Sequence, residues 1–187
     1  MIFEPQIGDG GKSVSLQNLL FRKLQKIRNG SRVVSSMTDS LFLFFKSVPI
    51  FAGLSDAAIA HLIGLSEPVS GEPEVILVQE GSPGNAFYLV QSGKVAVVKE
   101  DPAGQDVLLA TLTKGDFFGE MSIIECMPRS ASIRVLEKAE LYQIKTGALF
   151  KLFKTMPDQY AILILNISRD LCRRLRKMDD VHAARGG

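Results

Sequence analysis

The sequence predicts a mainly β protein with flanking helices, and two observations carry that prediction. Six short β-rich runs lie between about residues 69 and 146, and turn signals separate them. Helical periodicity is found before and after this region, and no long helical segment interrupts it. Because parallel strands need long crossover connections, this spacing favours an antiparallel barrel or sandwich over a doubly wound α/β sheet.

The strands are predicted from runs rich in β-branched and aromatic residues. They are EVILVQ (74–79), AFYLVQ (86–91), KVAVVK (94–99), DVLLAT (106–111), SIRVL (132–136) and ELYQI (140–144). The stretch QSGK is typical of a two-residue hairpin, and EDPAGQD of a longer one. The second and third runs are therefore expected to turn back on each other.

Helices are predicted on both sides of the strands. Residues 1–47 form an N-terminal helical arm in two pieces, divided at Asn29-Gly30, after about 14 polar residues that we expect to be poorly ordered. Its end, LFLFFKSVPIF, is expected to be buried against the following domain or a second arm. Residues 48–180 form that domain, with a helix that begins after the N-cap Ser55.

Two further helices are predicted after the strands, at residues 146–156 and 158–180, followed by a tail at 181–187. The long helix carries one apolar stripe: Tyr160, Leu163, Ile164, Ile167, Leu171, Leu175 and Met178. A stripe of this length must cover the strands, a second copy of the chain, or both.

Composition indicates a soluble cytoplasmic protein. The apolar fraction is 46%, the charged fraction is 22% and the net charge is +2, which is too small to indicate a nucleic-acid partner. The longest apolar run is interrupted by Lys46 and Pro49, so no membrane span is expected, and the start lacks the features of a signal peptide. Cys126 and Cys172 have apolar neighbours and are predicted to be buried and unpaired.

Catalytic and metal-binding patterns are not found. GDGGKS ends like a phosphate-binding loop, but it has Gln6 where that motif needs glycine, and no strand precedes it. The two histidines, His61 and His182, lie far apart in helical or tail segments, which excludes the usual histidine-based metal and nucleophile arrangements. We therefore expect no enzyme activity, no cofactor and no metal.

One stretch combines groups that suit a single ligand: DFFGEMSIIECMPRSASI, residues 116–133. Gly119 allows a tight turn, and Glu120 begins a short apolar helix whose first N–H groups favour an anion. The guanidinium of Arg129 suits a phosphate, and the hydroxyls of Ser130 and Ser132 could reach the same group. The stretch thus predicts a phosphate pocket that contains one carboxylate.

A carboxylate beside a phosphate is costly unless it accepts hydrogen bonds from a group attached to that phosphate. A ribose 2′-hydroxyl is such a donor, because an ionised glutamate is an acceptor only. A cyclic 3′,5′-nucleotide presents its phosphate and that hydroxyl within a few ångströms of each other. This shape fits both charged residues of the stretch.

The same stretch resembles the phosphate-binding cassette of cyclic nucleotide-binding domains, which occur in bacterial catabolite activators, cyclic-nucleotide-dependent kinases and cyclic-nucleotide-gated channels. The matching residues are Phe118, Gly119, Glu120, Met121, Ser122, Ile123, Pro128, Arg129, Ser130, Ala131 and Ser132. VPIFAGLSDAAIAHL and GSPGNAFYLVQSGKVAVV are also similar to the family, so the resemblance covers roughly residues 46–180.

The resemblance implies a double-stranded β-helix, or jelly-roll, barrel between about residues 69 and 146. It implies that Glu120 accepts from the ribose 2′-hydroxyl and that Arg129 pairs with the cyclic phosphate. The ligand-binding residues it implies are Phe118, Gly119, Glu120, Met121, Ser122, Arg129, Ser130 and Ala131. The long helix would close over the base as a lid and form a dimer seam, with Arg173 or Arg174 as possible base contacts.

Three functions stay open from the sequence. We favour a receptor that binds cyclic AMP in preference to cyclic GMP and signals to a dimer mate or an unknown effector. A dimerisation scaffold with a vestigial pocket is an alternative. A DNA-associated regulator that uses the basic arm is a weaker one, because only seven residues follow Asp180, where regulators of the family carry a helix-turn-helix.

Overall fold

The structure, a computed structural model, describes residues 33–185, and the predicted polar start and first helical piece of the N-terminal arm, before Asn29-Gly30, lie outside them. The helices are α1 (Val33–Ser47), a 3-10 turn (Pro49–Phe51), α2 (Asp56–Leu65), α3 (Glu120–Glu125), α4 (Thr146–Thr155) and α5 (Pro157–Arg185). The strands are β1 (Glu67–Gly71), β2 (Ile76–Val78), β3 (Ala86–Glu100), β4 (Asp106–Leu112), β5 (Phe117–Phe118) and β6 (Ser132–Lys145). Contacts divide the chain after Ser40, and all six strands and the helices from α2 onwards lie in the part that begins at Leu41.

The six strands form one antiparallel sheet around a central pair. Its order is β1-β6-β3-β4, with β2 added to β6 and β5 added to β3. Side chains of β3 alternate into a barrel core with those of β6; this core includes Val90, Val95 and Val135. The architecture confirms the predicted mainly β, jelly-roll class with flanking helices.

The predicted QSGK hairpin is wrong, because β3 runs without a break from Ala86 to Glu100. It pairs along its length with β6. Strand β6 is itself continuous and includes the runs SIRVL and ELYQI, which were expected to be separate strands. The register shifts between Val90 and Lys94, where Gly93 has a φ of 82°. A Cβ at Gly93 would lie 2.1 Å from the carbonyl oxygen of Lys138. The glycine therefore serves a bulge with close strand contact and not a turn.

A second core joins the helices to the outside of the barrel. Much of the LFLFFKSVPIF stretch is buried in it as expected, although Leu43 is 65% exposed: Phe45 stacks on Phe51 with ring centroids 5.3 Å apart, and Val48 and Ile50 are also buried. Helix α2 begins as predicted after Ser55, whose hydroxyl accepts from the Ala58 N–H at 3.3 Å.

Helix α5 is longer than expected and only partly covered. Leu163 and Ile167 of its predicted stripe are buried in the second core, whereas Leu175 and Met178 are 59% and 58% exposed. The prediction that both cysteines are buried is wrong as well. Cys126 and Cys172 are exposed, because Cys126 follows the last turn of α3 and Cys172 lies on the outer face of α5. Within residues 33–185 no helix is long and apolar enough to cross a membrane.

Candidate ligand-binding site

The site begins at the turn between β5 and α3. Gly119 has a φ of 88°, a left-handed conformation that glycine adopts without strain. A Cβ at this position would lie 2.4 Å from Nη1 of Arg129 and 2.9 Å from the carbonyl oxygen of Ala86. The turn thus needs glycine both for its backbone angle and for the space that the guanidinium fills. Glu120 follows as the first residue of α3, as predicted.

The guanidinium of Arg129 is buried and held by backbone carbonyl groups. Nη1 donates to the Gly119 oxygen at 3.1 Å, and Nη2 donates to the Ala86 oxygen at 2.7 Å. The ring of Tyr88 lies beneath the guanidinium, with the centroid 5.7 Å from its carbon. Burial lowers the pKa of Arg129, and nearby Tyr88 and Glu120 oppose that shift. An arginine remains protonated nonetheless, so a positive charge is buried at this point.

The carboxyl of Glu120 is also buried, and only 4% of the residue is exposed. Its Oε2 atom has no hydrogen-bond partner among the described residues. Burial raises the pKa of this carboxyl, and the charge of Arg174 opposes the rise. A buried oxygen without a donor costs free energy, so the site is short of one hydrogen-bond donor at Glu120.

Arg174 brings helix α5 to the same site. Its Nη2 donates to the carbonyl oxygen of Phe117 at 3.1 Å, and Nη1 lies 3.4 Å from Oε1 of Glu120. The guanidinium stacks over the Phe117 ring at 4.6 Å from the centroid and forms an ion pair with Asp170 at 2.6 Å. Arg174 thus joins the long helix to both the strand and the carboxylate of the site.

These groups border a cavity of about 160 Å³. Its lining includes the eight predicted ligand-binding residues, together with Arg174. The remaining walls are apolar: Val78, Val97, Ala110, Leu112 and Ile133. Arg173, the other possible base contact, does not line this cavity. It borders a neighbouring groove of about 460 Å³ between α5 and the strands, and its Nε donates to the Arg169 carbonyl oxygen at 3.3 Å.

One predicted contact is wrong. The hydroxyl of Ser132 was expected to reach the phosphate position with that of Ser130, but Ser132 is buried and does not line the cavity. Its oxygen accepts from the Glu80 N–H at 2.9 Å and from Gln79 Nε2 at 3.3 Å. Ser132 begins β6, and side chains alternate between the two faces of a strand. Ser132 therefore lies on the face opposite to the next residue, Ile133, which lines the cavity.

Residues that support the charged pair were not predicted. Tyr88 stacks on Phe118 with centroids 5.0 Å apart, and its hydroxyl accepts from Gln143 Nε2 at 2.8 Å. Ala86 supplies a carbonyl group, which no side-chain pattern can reveal. The Asp170–Arg174 pair had a visible signal, since an acid four residues before a base on a helix is a favourable pair.

The donor set suits an anion that also carries a hydroxyl donor. Arg129 has further N–H groups for an anion, and Glu120 Oε2 can accept. Among the described residues no group of three or more His, Cys, Asp or Glu side chains is placed to hold a metal ion.

Comparison with known proteins agrees with this geometry. The family model for the cyclic nucleotide-binding domain matches residues 68–156. A cAMP-dependent protein kinase regulatory subunit of Yarrowia lipolytica is 34% identical over 127 residues, which is 68% of this chain and 32% of the relative. A cyclic AMP receptor protein of Thermus thermophilus is 34% identical over 138 residues, 72% of this chain and 60% of the relative.

The fold has a solved counterpart in a cyclic nucleotide-binding domain from Methylobacillus flagellatus. The TM-score is 0.68 at 25% identity, over 78% of this chain and 82% of the other. The chain spans only part of the two sequence relatives, which are named as a protein kinase regulatory subunit and as a cyclic AMP receptor protein. The matched segment includes the β5–α3 turn, Glu120 and Arg129. Residues 68–156 of this chain therefore belong to the cyclic nucleotide-binding domain family.

Proposed function

We propose that this protein is a cyclic-nucleotide receptor that binds a 3′,5′-cyclic purine nucleotide between β5, α3 and α5. The observation that carries the proposal is the buried Oε2 of Glu120, which lacks a donor and lies beside the buried cation Arg129. A cyclic nucleotide supplies an anion for Arg129 and a ribose 2′-hydroxyl for Glu120. An anion without a hydroxyl would leave the carboxylate unsatisfied, and its charge would be repelled by Glu120.

The remaining ligand contacts follow from the lining of the cavity. Gly119 and Glu120 offer backbone N–H groups at the phosphate, and Ser130 and Ala131 border the same end. Phe118, Met121 and Ser122 complete the walls around the ribose. The family resemblance implies that these residues bind the ligand, and the proposal assigns them that part in this chain.

Helix α5 is proposed to act as the lid that reports the ligand. Arg174 already contacts Glu120 and Phe117, so a ribose hydroxyl at Glu120 changes what Arg174 can bind. The groove beside Arg173 and Arg174 leads outward along α5 and offers room for the purine. Binding of the base there would fix the helix in one position and alter what it presents to a partner.

A homodimer through α5 is part of the same proposal. Leu165, Ser168, Cys172 and Leu175 are all exposed, and their spacing of three, four and three residues is that of a coiled-coil seam. Two such helices would cover each other's Leu165, Cys172 and Leu175 side chains.

Cyclic AMP is favoured over cyclic GMP. The relatives from Yarrowia lipolytica and Thermus thermophilus are both named for cyclic AMP, and they are each 34% identical to this chain over 127 and 138 residues.

A ligand-free scaffold is the second candidate, and one observation favours it. Arg174 already neutralises Glu120 without a nucleotide, which is what a permanently closed lid would show. The two candidates differ in whether a ribose hydroxyl can take a place at Oε2.

The test is a double cycle in calorimetric binding, with cyclic AMP and 2′-deoxy cyclic AMP as ligands and the wild type and Glu120→Ala as proteins. We expect removal of the 2′-hydroxyl to weaken binding to the wild type about tenfold or more, since a hydrogen bond to a charged acceptor is worth about 1.5–3 kcal/mol. The same change should have little effect on Glu120→Ala. Equal losses in both proteins would contradict the role of Glu120, and no binding of either ligand to the wild type would favour the scaffold.

A further inference from the structure

Hydrogen bonds outside the cavity join the loop at residues 79–82 to the cassette segment from Arg129 to Ser132. The loop at residues 79–82 is joined to the cassette by two backbone hydrogen bonds: the Gly81 N–H donates to the Arg129 carbonyl at 2.9 Å, and the Arg129 N–H donates to the Ser82 carbonyl at 2.9 Å. The Ser132 hydroxyl accepts from Glu80 in the same region. The segment from Arg129 to Ser132 is therefore fixed to this loop on one side.

Lys99, at the end of β3, connects the loop to the cassette by charge. Its Nζ lies 2.6 Å from Oε1 of Glu80 and donates to the Ser130 carbonyl oxygen at 2.9 Å. The other oxygen of Glu80 accepts from the Glu100 N–H at 3.3 Å. The hydrogen bond from Lys99 is the first cause of a lowered pKa at Glu80, with the Glu100 N–H as the second. Glu80 therefore fixes where the ammonium group of Lys99 sits.

The bond to Ser130 determines the direction of one peptide group. In a trans peptide the carbonyl of one residue and the N–H of the next point in opposite directions. Because Lys99 holds the Ser130 carbonyl outside the cassette, the N–H of Ala131 is directed to the opposite side. Ala131 and Ser130 both line the cavity at its phosphate end.

We propose that Lys99 and Glu80 are positioning residues that orient the Ser130–Ala131 peptide, so that its N–H meets the anion of the ligand. Neither residue lines the cavity, so each acts through Ser130. This inference rests on the proposed function, because the anion it serves is the cyclic phosphate.

Orientation and simple attraction by charge give opposite expectations for one variant. Glu80→Gln removes a negative charge near the phosphate end, which would strengthen binding of an anion if Lys99 acted by charge alone. If Glu80 serves to place Lys99, the same variant weakens binding. We expect a loss of roughly 3- to 10-fold for Glu80→Gln and Lys99→Met, since both groups are partly exposed and the ion pair itself is weak. Lys99→Arg should restore affinity to within about twofold.

The experiment measures the dissociation constant of cyclic AMP by calorimetry for the wild type and these three variants. Lys94→Met and Glu137→Gln are the matched controls, because Lys94 and Glu137 form an exposed ion pair between β3 and β6 at 2.5 Å that does not touch the cassette. Both controls should bind like the wild type. In parallel, the amide resonance of Ala131 should shift on Lys99→Met before any ligand is added, and stay in place in both controls.

Tighter or unchanged binding by Glu80→Gln would overturn the positioning role and leave the receptor function standing. An Ala131 resonance that does not move in Lys99→Met would overturn it too. If the wild type binds no cyclic nucleotide, the proposed function fails and the inference fails with it.

Discussion

At the residue scale, the site is defined by two buried charges that do not fully satisfy each other. Arg129 gives two of its N–H groups to the carbonyls of Gly119 and Ala86, which lowers the cost of burying its charge. Glu120 receives a 3.4 Å contact from Arg174 at one oxygen and none at the other. The site therefore contains a buried carboxylate with one oxygen that accepts no hydrogen bond among the described residues. We expect a ligand that donates a hydrogen bond to this oxygen to gain binding free energy from it.

The first prediction concerns the space that Gly119 leaves for Arg129. Gly119→Ala should lower the free energy of unfolding by about 1–3 kcal/mol and abolish nucleotide binding, because the new Cβ would displace Nη1 as well as strain the backbone. Gly115→Ala is the matched control: its φ is 91°, but no atom lies within 4 Å of the added Cβ. Urea unfolding and calorimetry measure both effects.

The comparison of the two glycine variants separates strain from displacement. Both should lose stability, since both have positive φ. Only Gly119→Ala should lose binding. Normal affinity in Gly119→Ala would show that nucleotide binding does not depend on the position of the Arg129 guanidinium.

The second prediction concerns the pH dependence of stability. The pKa of folded Glu120 is raised above its ordinary value of 4.5, mainly by burial. The stabilising contribution of the protonated form is therefore complete below pH 4.5 and is lost as the pH rises through the raised pKa. Glu120→Gln should match the wild type near pH 4.5 and become the more stable protein as the pH rises towards about 7.

Urea unfolding at several pH values tests this dependence. Glu137→Gln, in which an exposed carboxyl of β6 is removed, controls for the loss of one negative charge. A wild type whose stability relative to Glu120→Gln increases with pH would show that Arg174 outweighs burial at this carboxyl.

Residue identities could be predicted from the sequence wherever the ligand chemistry demanded a particular side chain. Gly119, Glu120 and Arg129 lie together as expected, because acid, base and turn were constrained by one short segment. Tyr88 and Ala86 could not be predicted, because they come from a strand about 40 residues away in sequence and only the long-range pairing of β3 brings them to Arg129. Ser132 was misplaced because strand alternation, and not hydroxyl chemistry, decides where it points.

At the scale of elements, α5 depends on Arg174 for its contact with the cassette. Nearer its start, the helix is fixed by Asn166, whose side chain donates to the carbonyls of Ile50 at 3.0 Å and Ala52 at 2.7 Å. Two turns further along, the residues after Arg174 are exposed, with Leu175 at 59%. The first half of the helix is thus held to the domain by Asn166, and Arg174 adds a charged contact with Glu120. From Leu175 to Asp180 the side chains of the helix are exposed to solvent.

The third prediction follows from that arrangement. Arg174→Ala should increase amide hydrogen exchange in α5 beyond Asp170, because it removes the contacts with Glu120 and Phe117 that hold this part of the helix to the domain. Exchange in the first half, around Asn166, should not change. Arg176→Ala, an exposed cation on the same helix, serves as the control. Equal exchange in the wild type and both variants would show that Arg174 does not hold the second half of α5 to the domain.

Helices were predicted well where helical periodicity in the sequence coincides with a capping residue. Strands were predicted poorly where they bend. Helices α2 and α4 match their expected bounds to within a residue or two. The β3 and β6 strands were each divided in two, because Gly93 in one and the charged Glu137–Lys138 segment in the other look like turn signals. In the structure both positions serve one bend shared by a paired ladder, which only the long-range pairing reveals.

At the scale of the whole molecule, the exposed stripe of α5 sets the expected assembly. The fourth prediction is that Leu175→Glu converts the proposed dimer to a monomer, since it places a charge in the proposed seam, where Leu165, Cys172 and Leu175 of two helices would meet. Size-exclusion chromatography with light scattering measures the mass. Leu108→Glu on β4, where Leu108 is 60% exposed, is the control and should leave the dimer intact. A wild type that is monomeric at tens of micromolar would contradict the seam.

The measurement that tests the central claim most directly is the thermal shift of the wild type and Arg129→Ala with cyclic AMP, cyclic GMP and linear AMP. A ligand at about 100 times its dissociation constant adds roughly 2.7 kcal/mol, which for a chain of this size raises Tm by about 5–10 °C. We predict that rise for the wild type with cyclic AMP, a smaller one with cyclic GMP, none with linear AMP, and none for Arg129→Ala. No shift of the folded wild type with either cyclic nucleotide would contradict a receptor and leave the scaffold.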